Sequence, residues 1–355
     1  MLRLFEIILA VLLVLTFFLV VGLFLPKTAR IQRTIEVGNP ISHVYDTLNG
    51  FHRFNDWSPW HANDSAMHVN VSGPTFGVGA KLDFTASAGG SAGVGSLEIS
   101  ESELNESDAV VRMDLIADWV GTNKRSTFRL VQDGKTRAIN VQWDVRVDYG
   151  WNILGRYNGM YLDGSLGEDM EESLARLASF MATVPAVDYS QLSVEEVDRV
   201  GGPLLYVGGG VPSAPRKWDD EALPLMERSW KQVEDFMREK NIVATGDKLR
   251  IINIVGDEAV DASMAYPVAA LNIAPTGNVR IGTAYTGKAL KVLYKRNRAG
   301  IFAPRGPREA LRAYAMTHAY EFTWDGAGQF DEWVTDADED GFPVTRVYLP
   351  ITHKN

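Results

Sequence analysis

The run from Ile7 to Leu25 (IILAVLLVLTFFLVVGLFL) carries no charge and only Thr16 and Gly22 as mild interruptions. As a helix rising about 1.5 Å per residue, such a run spans the roughly 30 Å hydrocarbon core of a bilayer. A helix satisfies its own backbone polar groups there, so the run needs no partner in lipid. A buried core helix of a globular domain is usually shorter and keeps a polar face. A cleaved signal peptide has an apolar core of about 7–15 residues followed by a small-x-small cleavage site. Here the run is longer and ends in Pro26-Lys27-Thr28-Ala29-Arg30, with no Ala-x-Ala. An uncleaved membrane anchor is therefore expected. Arg3 and the terminal amine, partly offset by Glu6, precede the span, whereas Lys27, Arg30 and Arg33 follow it. The positive-inside tendency thus favours a cytoplasmic C-terminal bulk by a margin of about one charge.

The chain has 355 residues. About 330 remain beyond the anchor, enough for two ordinary domains. The formal net charge is −10, and Lys288–Arg298 is the one long basic stretch. A nucleic-acid partner, which wants a basic face, is not expected. With no cysteine in the chain, disulfides, thiolate nucleophiles and Cys-based metal sites are excluded.

Ala29 to Val37 alternates apolar residues at Ile31, Ile35 and Val37 and predicts a strand. Asn39-Pro40 predicts a helix start, with Asn as cap and Pro at the first helical position. Ile41, Val44, Tyr45 and Leu48 continue it at helical spacing. An aromatic turn or short helix follows from Phe51 to Trp60. From Met67 to Asp148 the pattern is repeated strands. Ile139, Val141, Trp143, Val145 and Val147 alternate strictly with polar neighbours, as expected of a half-buried antiparallel strand. Leu162, Leu166, Met170, Leu174, Leu177 and Met181 recur every three or four residues and predict one long amphipathic helix ending before Pro185. Its acidic first half (Glu168, Asp169, Glu171, Glu172) suits an outer face.

A strand, small helices, a curved antiparallel sheet and a long closing helix form a distinctive order. The carriers are Ile35-Glu36-Val37, Pro40, Val44-Tyr45-Asp46, Asn55-Asp56-Trp57-Ser58-Pro59-Trp60, Ser72-Gly73-Pro74, Gly77-Val78-Gly79-Ala80 and Asp163-Gly164-Ser165-Leu166-Gly167. Over Ala29 to Thr183 the chain resembles the SRPBCC superfamily, the START-like helix-grip fold, and within it the polyketide cyclase/dehydrase type. The resemblance implies a long helix laid across a curved sheet around an apolar cavity for a hydrophobic or lipid-like ligand. It does not imply cyclase activity. Trp57, Trp60, Trp119 and Trp143 are candidates for the cavity wall, with plain core packing as the alternative.

Val184 to Gln191 reads as a connection, which gives an anchor at 1–28, a helix-grip domain at 29–184 and a last domain at 192–355. In that domain Leu192–Val200, Leu204–Val207, Arg250–Val255 and Ala262–Val268 read as strands, and Asp220–Lys240 as a helix. Gly208-Gly209-Gly210 is expected to stop its strand. Asn278–Arg298 holds strand material, Pro307–Phe322 predicts a helix, and Gln329–Thr335 and Pro343–Pro350 predict strands. A strand–helix–strand–strand unit therefore occurs twice. With Gly287-Lys288-Ala289, Phe330-Asp331-Glu332-Trp333-Val334 and Val347-Tyr348-Leu349-Pro350-Ile351 as carriers, this half resembles the GyrI-like effector-binding domain. The overall expectation is an α+β chain. The resemblance implies a ligand cleft between the repeats with Glu332 and Trp333 in it. Asn297-Arg298-Ala299-Gly300-Ile301 departs from the family's usual turn. Tyr206 and Trp230 are further aromatic candidates for this site. A carboxylate beside aromatic walls attracts cationic or polarised ligands; a solvent-facing strand Glu is the alternative.

Three motif matches fail on context. Gly89-Gly90-Ser91-Ala92-Gly93 spells a nucleophile elbow but lies in a loop between strands. Asp336 to Gly341 opens like a calcium loop, yet Val347 stands where the bidentate Glu belongs. His43, His52, His61 and His68 lack helix-face metal spacing and read as surface residues. No metal or cofactor is expected. The leading expectation is a membrane-anchored binding protein with two small-molecule pockets, one of them for a hydrophobic or lipid-like ligand. The alternatives are a hydrolase-type enzyme using Glu332 as general base, or a non-catalytic interaction protein.

Overall fold

In the computed structural model, β1 (Thr28–Val37) starts only three residues after the N-terminal helix α1 (Leu2–Phe24) ends. The structure describes residues 2–88, 92–212, 222–255, 259–269, 274–295, 305–322, 329–337 and 343–353. The chain divides into two units, Met1–Val184 and Pro185–Asn355. α1 is long and apolar enough to cross a membrane. Its side chains from Ile7 to Val20 are all exposed, so it is not a core helix of this chain.

The first unit continues with α2 (Ile41–Leu48), α3 (Phe54–Trp57), α4 (Trp60–Asn63), β2 (His68–Ser72), β3 (Lys81–Thr85) and β4 (Val94–Leu104). Then come β5 (Asp108–Ala117), β6 (Thr122–Gln132), β7 (Ile139–Asp148), α5 (Ile153–Gly159) and α6 (Leu162–Thr183). The strands form one seven-stranded antiparallel sheet in the order β1-β7-β6-β5-β4-β3-β2. β1 therefore returns beside the last strand, from Thr28 opposite Asp148 to Val37 opposite Ile139. Register shifts in β4 at Ile99/Glu101 and in β6 at Thr122/Arg125 bend the sheet. The long helix buries Met170, Leu174, Leu177 and Met181, as the spacing predicts.

Two local expectations change. Pro40, not Asn39, is the N-cap of α2, and no side chain caps it. Asn39 is buried and donates to the Val184 carbonyl at 3.1 Å. It ties the start of the unit to its end, because a buried amide must find a partner somewhere. His43 is fully buried on α2 rather than at the surface, while the His61 side chain lies outside the described residues. No group of three His, Cys, Asp or Glu able to hold a metal occurs among the described residues.

The second unit contains β8 (Glu195–Arg199), β9 (Pro203–Pro212), α7 (Leu223–Glu239), β10 (Lys248–Val255), β11 (Ala259–Pro267) and β12 (Arg280–Thr283). It goes on through β13 (Gly287–Lys295), α8 (Arg305–Thr317), β14 (Tyr320–Glu321), β15 (Phe330–Ala337), β16 (Pro343–Pro350) and β17 (Thr352–His353). Eight strands run in the order β12-β9-β11-β10-β15-β16-β13-β8. The centre is a duplicated arrangement: β9-β11-β10 from one repeat is joined edge to edge, through the β10–β15 pairing, to β15-β16-β13 from the other, each with one helix between its first and second strand. β9 continues through Gly208-Gly209-Gly210, paired with Ser263, Ala262 and Asp261 of β11. Its ladder holds the backbone extended, so the glycines do not end it. α8 stops at Thr317, short of the expected Phe322, because Ala319 takes a left-handed φ of 60°. Tyr320 and Glu321 then pair with His353 and Thr352. Gly89–Ser91, Asn297–Ile301 and Asp338–Gly341 lie outside the described residues.

An ion cluster sits where the repeats meet. Arg250 on β10 is opposite Asp331 on β15. Its Nε donates to Asp331 Oδ2 at 2.8 Å, its Nη2 bonds the same oxygen, and Arg308 of α8 reaches it at 2.5 Å. Both Arg250 and Asp331 are fully buried. Removing one member of a buried cluster leaves uncompensated charge, at a cost of about 3–5 kcal/mol, whereas apolar replacement of the whole set is often neutral. Asp331→Ala is accordingly expected to lose about 3–5 kcal/mol in chemical denaturation. The triple change Arg250→Met, Arg308→Leu, Asp331→Leu is expected to recover most of that loss.

Candidate functional site

The interior of the first unit is built from aromatic side chains that α3, α4, β6 and β7 present to one another. Trp57 lies edge-on to Phe128 and Trp143, at 5.8 and 6.2 Å between ring centroids. Phe128 stacks on Trp143 at 4.8 Å, and Phe54 meets Trp57 and Trp60 at 5.0 and 5.4 Å. These rings line an inner cavity and also fill most of it, leaving about 50 Å³. A larger pocket of about 390 Å³ lies against it. The two share Trp60, Trp119, Leu166 and Asp169 as lining residues. The larger one falls in the range of small-molecule sites.

All four expected wall residues of this unit are thus brought together, in different roles. Trp143 is held by its indole N–H on Ser126 Oγ at 2.7 Å, and Trp119 by its N–H on the Ala92 carbonyl at 3.0 Å. Trp57 is buried, and its indole N–H has no hydrogen-bond partner among the described residues. It is a donor available to an acceptor placed in the inner cavity. Trp60 borders both spaces.

Asp169 was expected on the outer face with its acidic neighbours; it lines both pockets instead. The reason is helical geometry: Leu166, Asp169, Met170 and Ser173 share one face of α6. Burial, followed by the nearby Glu172 and Glu168 carboxylates, pushes the Asp169 carboxyl above its ordinary range. Its place inside the Leu166–Met170–Ser173 stripe was the signal in the sequence.

In the second unit, Glu332 lies directly opposite Arg346 and Leu249 across its two ladders. Its side chain is 13% exposed. Arg346 Nη1 donates to Oε2 at 2.9 Å, the Tyr348 hydroxyl donates to the same oxygen at 3.0 Å, and Arg199 Nη2 stands 3.5 Å from Oε1. The Arg199 guanidinium also covers the Tyr348 and Phe330 rings at 4.9 and 5.6 Å. Phe330 and Tyr348 stack at 4.5 Å. Burial and the Glu332 charge push the Tyr348 phenol up, so it stays a donor. Glu332 is neither a solvent-facing strand residue nor a lone negative charge: both oxygens face guanidinium groups. Asp247 stands 3.4 Å from Arg346, which balances the cluster.

Leu204, Leu249, Ala265, Ala289, Phe330 and Tyr348 form the apolar floor beside this cluster, and Tyr206 packs against it. Trp230 is elsewhere. It is buried between α7 and the sheet among Met226, Ile252 and Met264, and its indole N–H donates to the Leu249 carbonyl at 2.9 Å. Trp333 sits in β15 opposite Thr345; its side chain lies outside the described residues. Arg199, Arg346 and Tyr348 had no separate signal in the sequence, because strand register alone brings them to Glu332.

No family model matches this sequence, and no curated protein does. Among solved structures the similar ones include a START-type fold and a GyrI-like effector-binding domain. Norcoclaurine synthase of Thalictrum flavum is 14% identical at a TM-score of 0.35, over 44% of this chain and 97% of that one. The EcmrR C-terminal domain is 11% identical at a TM-score of 0.38, over 46% of this chain and 99% of that one. EcmrR is also known as a complex with DNA, matched at a TM-score of 0.37 and 11% identity over 57% of this chain and 72% of that one. A structural-genomics protein of Nitrosospira multiformis is 15% identical at a TM-score of 0.32, over 43% of this chain and 97% of that one. At such identities and scores the likeness carries no functional argument, which rests on the site geometry.

Proposed function

We propose that this chain is a single-pass, membrane-anchored binding protein whose first soluble unit holds an apolar or lipid-like small molecule. The observation that carries the reading is the 390 Å³ pocket bordered by Trp60, Trp119, Val120, Val147, Leu162 and Leu166, with Asp118 and Asp169 as its charged groups. Apolar walls with a few placed polar groups are what small-molecule sites offer. The exposed apolar face of α1 supports the anchor, and the one-charge difference across it favours cytoplasmic soluble units. The GyrI-like unit is a second binding unit, with the Phe330–Tyr348 floor and the Arg199–Glu332–Arg346 cluster as its recognition surface. Because Glu332 is matched by two arginines, this surface suits a polar ligand that exchanges with those pairs better than a simple cation.

Detergent-extracted full-length protein, screened by thermal shift against single-chain amphiphiles and followed by native mass spectrometry, tests the reading. A melting shift and a retained mass are expected for the native chain. Leu166→Trp, which fills the larger pocket, is expected to abolish both. Equal shifts in the two proteins would refute the pocket assignment.

Asp169 gives the pocket a pH signature. Its folded carboxyl binds a proton more tightly than the unfolded one, so its contribution to stability falls as pH rises above the ordinary carboxylate range. Asp169→Asn removes that penalty. The variant is expected to melt higher than the native chain at pH 7, and the difference is expected to vanish below the ordinary carboxylate range. A native chain that melts higher than the variant at pH 7 would contradict the inward placement of this carboxyl.

A further inference from the structure

We infer that the α5 turn, from Trp151 to Tyr161, is a second membrane contact that lies in the bilayer interface alongside α1. The inference rests on the reading of α1 as a span and goes beyond it. The turn is fastened to the C-terminal part of α1 through Tyr157, Ile153 and Arg156. The Tyr157 hydroxyl donates to the Phe18 carbonyl at 2.7 Å, and the two rings meet edge-on at 6.0 Å. Ile153 fills the space that the missing side chain of Gly22 leaves: a Cβ there would stand 2.2 Å from its Cγ2. Arg156, which is 2% exposed, donates to the Gly22 and Leu23 carbonyls at 3.2 and 2.9 Å.

The depth of these contacts decides the matter. Phe18 lies about 9 Å of helix rise before the end of α1 at Phe24. α1 itself is about 34 Å long, only slightly longer than the hydrocarbon core. A helix fastened at Phe18 therefore cannot stand clear of the lipid surface when α1 spans. Interfacial helices lie about 5–10 Å deep, which matches this attachment.

The chemistry of the turn fits that depth. Trp151, Leu154 and Tyr161 are 76%, 82% and 73% exposed. Leu154 and Tyr157 lie one helical turn apart on α5, and Trp151 and Tyr161 flank its two ends. Large apolar and aromatic side chains left in water at this density are costly, but Trp and Tyr are the residues that settle at headgroup level. Two polar side chains of the turn are held within the protein. Arg156 also donates to the Gly150 carbonyl through Nε and Nη2 at 3.0 and 2.6 Å, and the Asn152 side chain accepts from the Gly155 N–H at 2.9 Å. Lys27 Nζ sits 4.3 Å from the Trp151 ring centroid, where its charge also faces lipid headgroups. Arg156 places its charge on the carbonyl end of α1, where a cation is favoured. The lining of the larger pocket includes Tyr149, Asn158 and Leu162, which flank or belong to the same turn. The pocket therefore lies beside the turn that this inference places at headgroup level.

The native chain has no cysteine, so single-cysteine labelling reads each position cleanly. Leu154→Cys, Tyr161→Cys, Leu13→Cys and, as an aqueous control, Val200→Cys would each be labelled with an environment-sensitive fluorophore. The full chain would be placed in vesicles of phosphatidylcholine and phosphatidylglycerol. Labels at 13, 154 and 161 are expected to emit at shorter wavelength than the label at 200. Lipids brominated near the headgroup are expected to quench 154 and 161 more strongly than 13. Water-like emission at both 154 and 161 with a lipid-like signal at 13 would overturn this inference and leave the span intact. A water-like signal at 13 would overturn the span itself and the inference with it.

Discussion

The pairing of β1 with β7 is the constraint on which the first unit depends. β1 leaves α1 through three residues only, so the strand's partner decides what stands beside the helix. With Thr28 opposite Asp148, the chain leaving β7 emerges next to the end of α1. There the Tyr149 N–H donates to the Lys27 carbonyl at 2.8 Å, and α5 follows at once. The attachment of α5 to α1 is thus a consequence of sheet register. Tyr149 fixes the other side of the turn: Cβ atoms at Gly155 and Gly159 would stand 2.8 and 2.6 Å from its ring. Side chains at those positions would push α5 off the sheet.

In the second unit the corresponding constraint is the β10–β15 junction. Residues of opposite sheet faces alternate along β15, so Asp331 and Glu332 inhabit different environments one residue apart. Asp331 meets Arg250 and Arg308 in full burial. Glu332 meets Arg199, Arg346 and Tyr348 at partial exposure. The first cluster joins the repeats and α8, and its ions are beyond the reach of a ligand. The second keeps half-buried guanidinium groups in reach of solvent, with Arg199 over the Phe330 and Tyr348 rings, so on the proposed reading its pairs would be the ones a ligand exchanges with. A surface of that kind selects by geometry and hydrogen bonding more than by net charge.

Much of this architecture was legible because it rests on periodicity. The strict alternation of β7 and the three-to-four-residue stripe of α6 each bury one face, and burial writes its period into the sequence; α1 was legible instead from its unbroken uncharged run. The readings that changed depended on long-range context. Gly208 to Gly210 look like a stop, yet β11 supplies a ladder that holds them extended. Asn39 looks like a cap, yet the Val184 carbonyl reaches it first. Trp230 and Trp57 are alike as sequence features. One closes a helix–sheet core with its N–H satisfied, and the other ends beside a cavity with its N–H unpartnered. Arg199 lies far from Glu332 in the chain, and only the order β16-β13-β8 carries it there. Asp169 was readable in principle, because it interrupts an apolar stripe rather than a polar face.

The aromatic interior has a consequence for the kind of ligand. Rings at close-packed distances leave an inner space that suits a methyl group or a short chain end, while the larger volume lies outward, toward Tyr149, Asn158 and Leu162. A ligand with a bulky end and a slender apolar end matches that taper. Its slender end would enter the inner space lined by Trp57 and Trp143, and an acceptor carried there would meet the Trp57 N–H. Its bulky end would lie by Asp169, whose carboxyl is pushed toward its neutral form and so tolerates an apolar neighbour better than an ordinary aspartate. Single-chain amphiphiles have this shape, and a bilayer holds them with their headgroups at the depth where α5 is fastened to α1. On the proposed reading, α1 as anchor would set the distance between the pocket and its source of ligand, and so would enter the binding step itself.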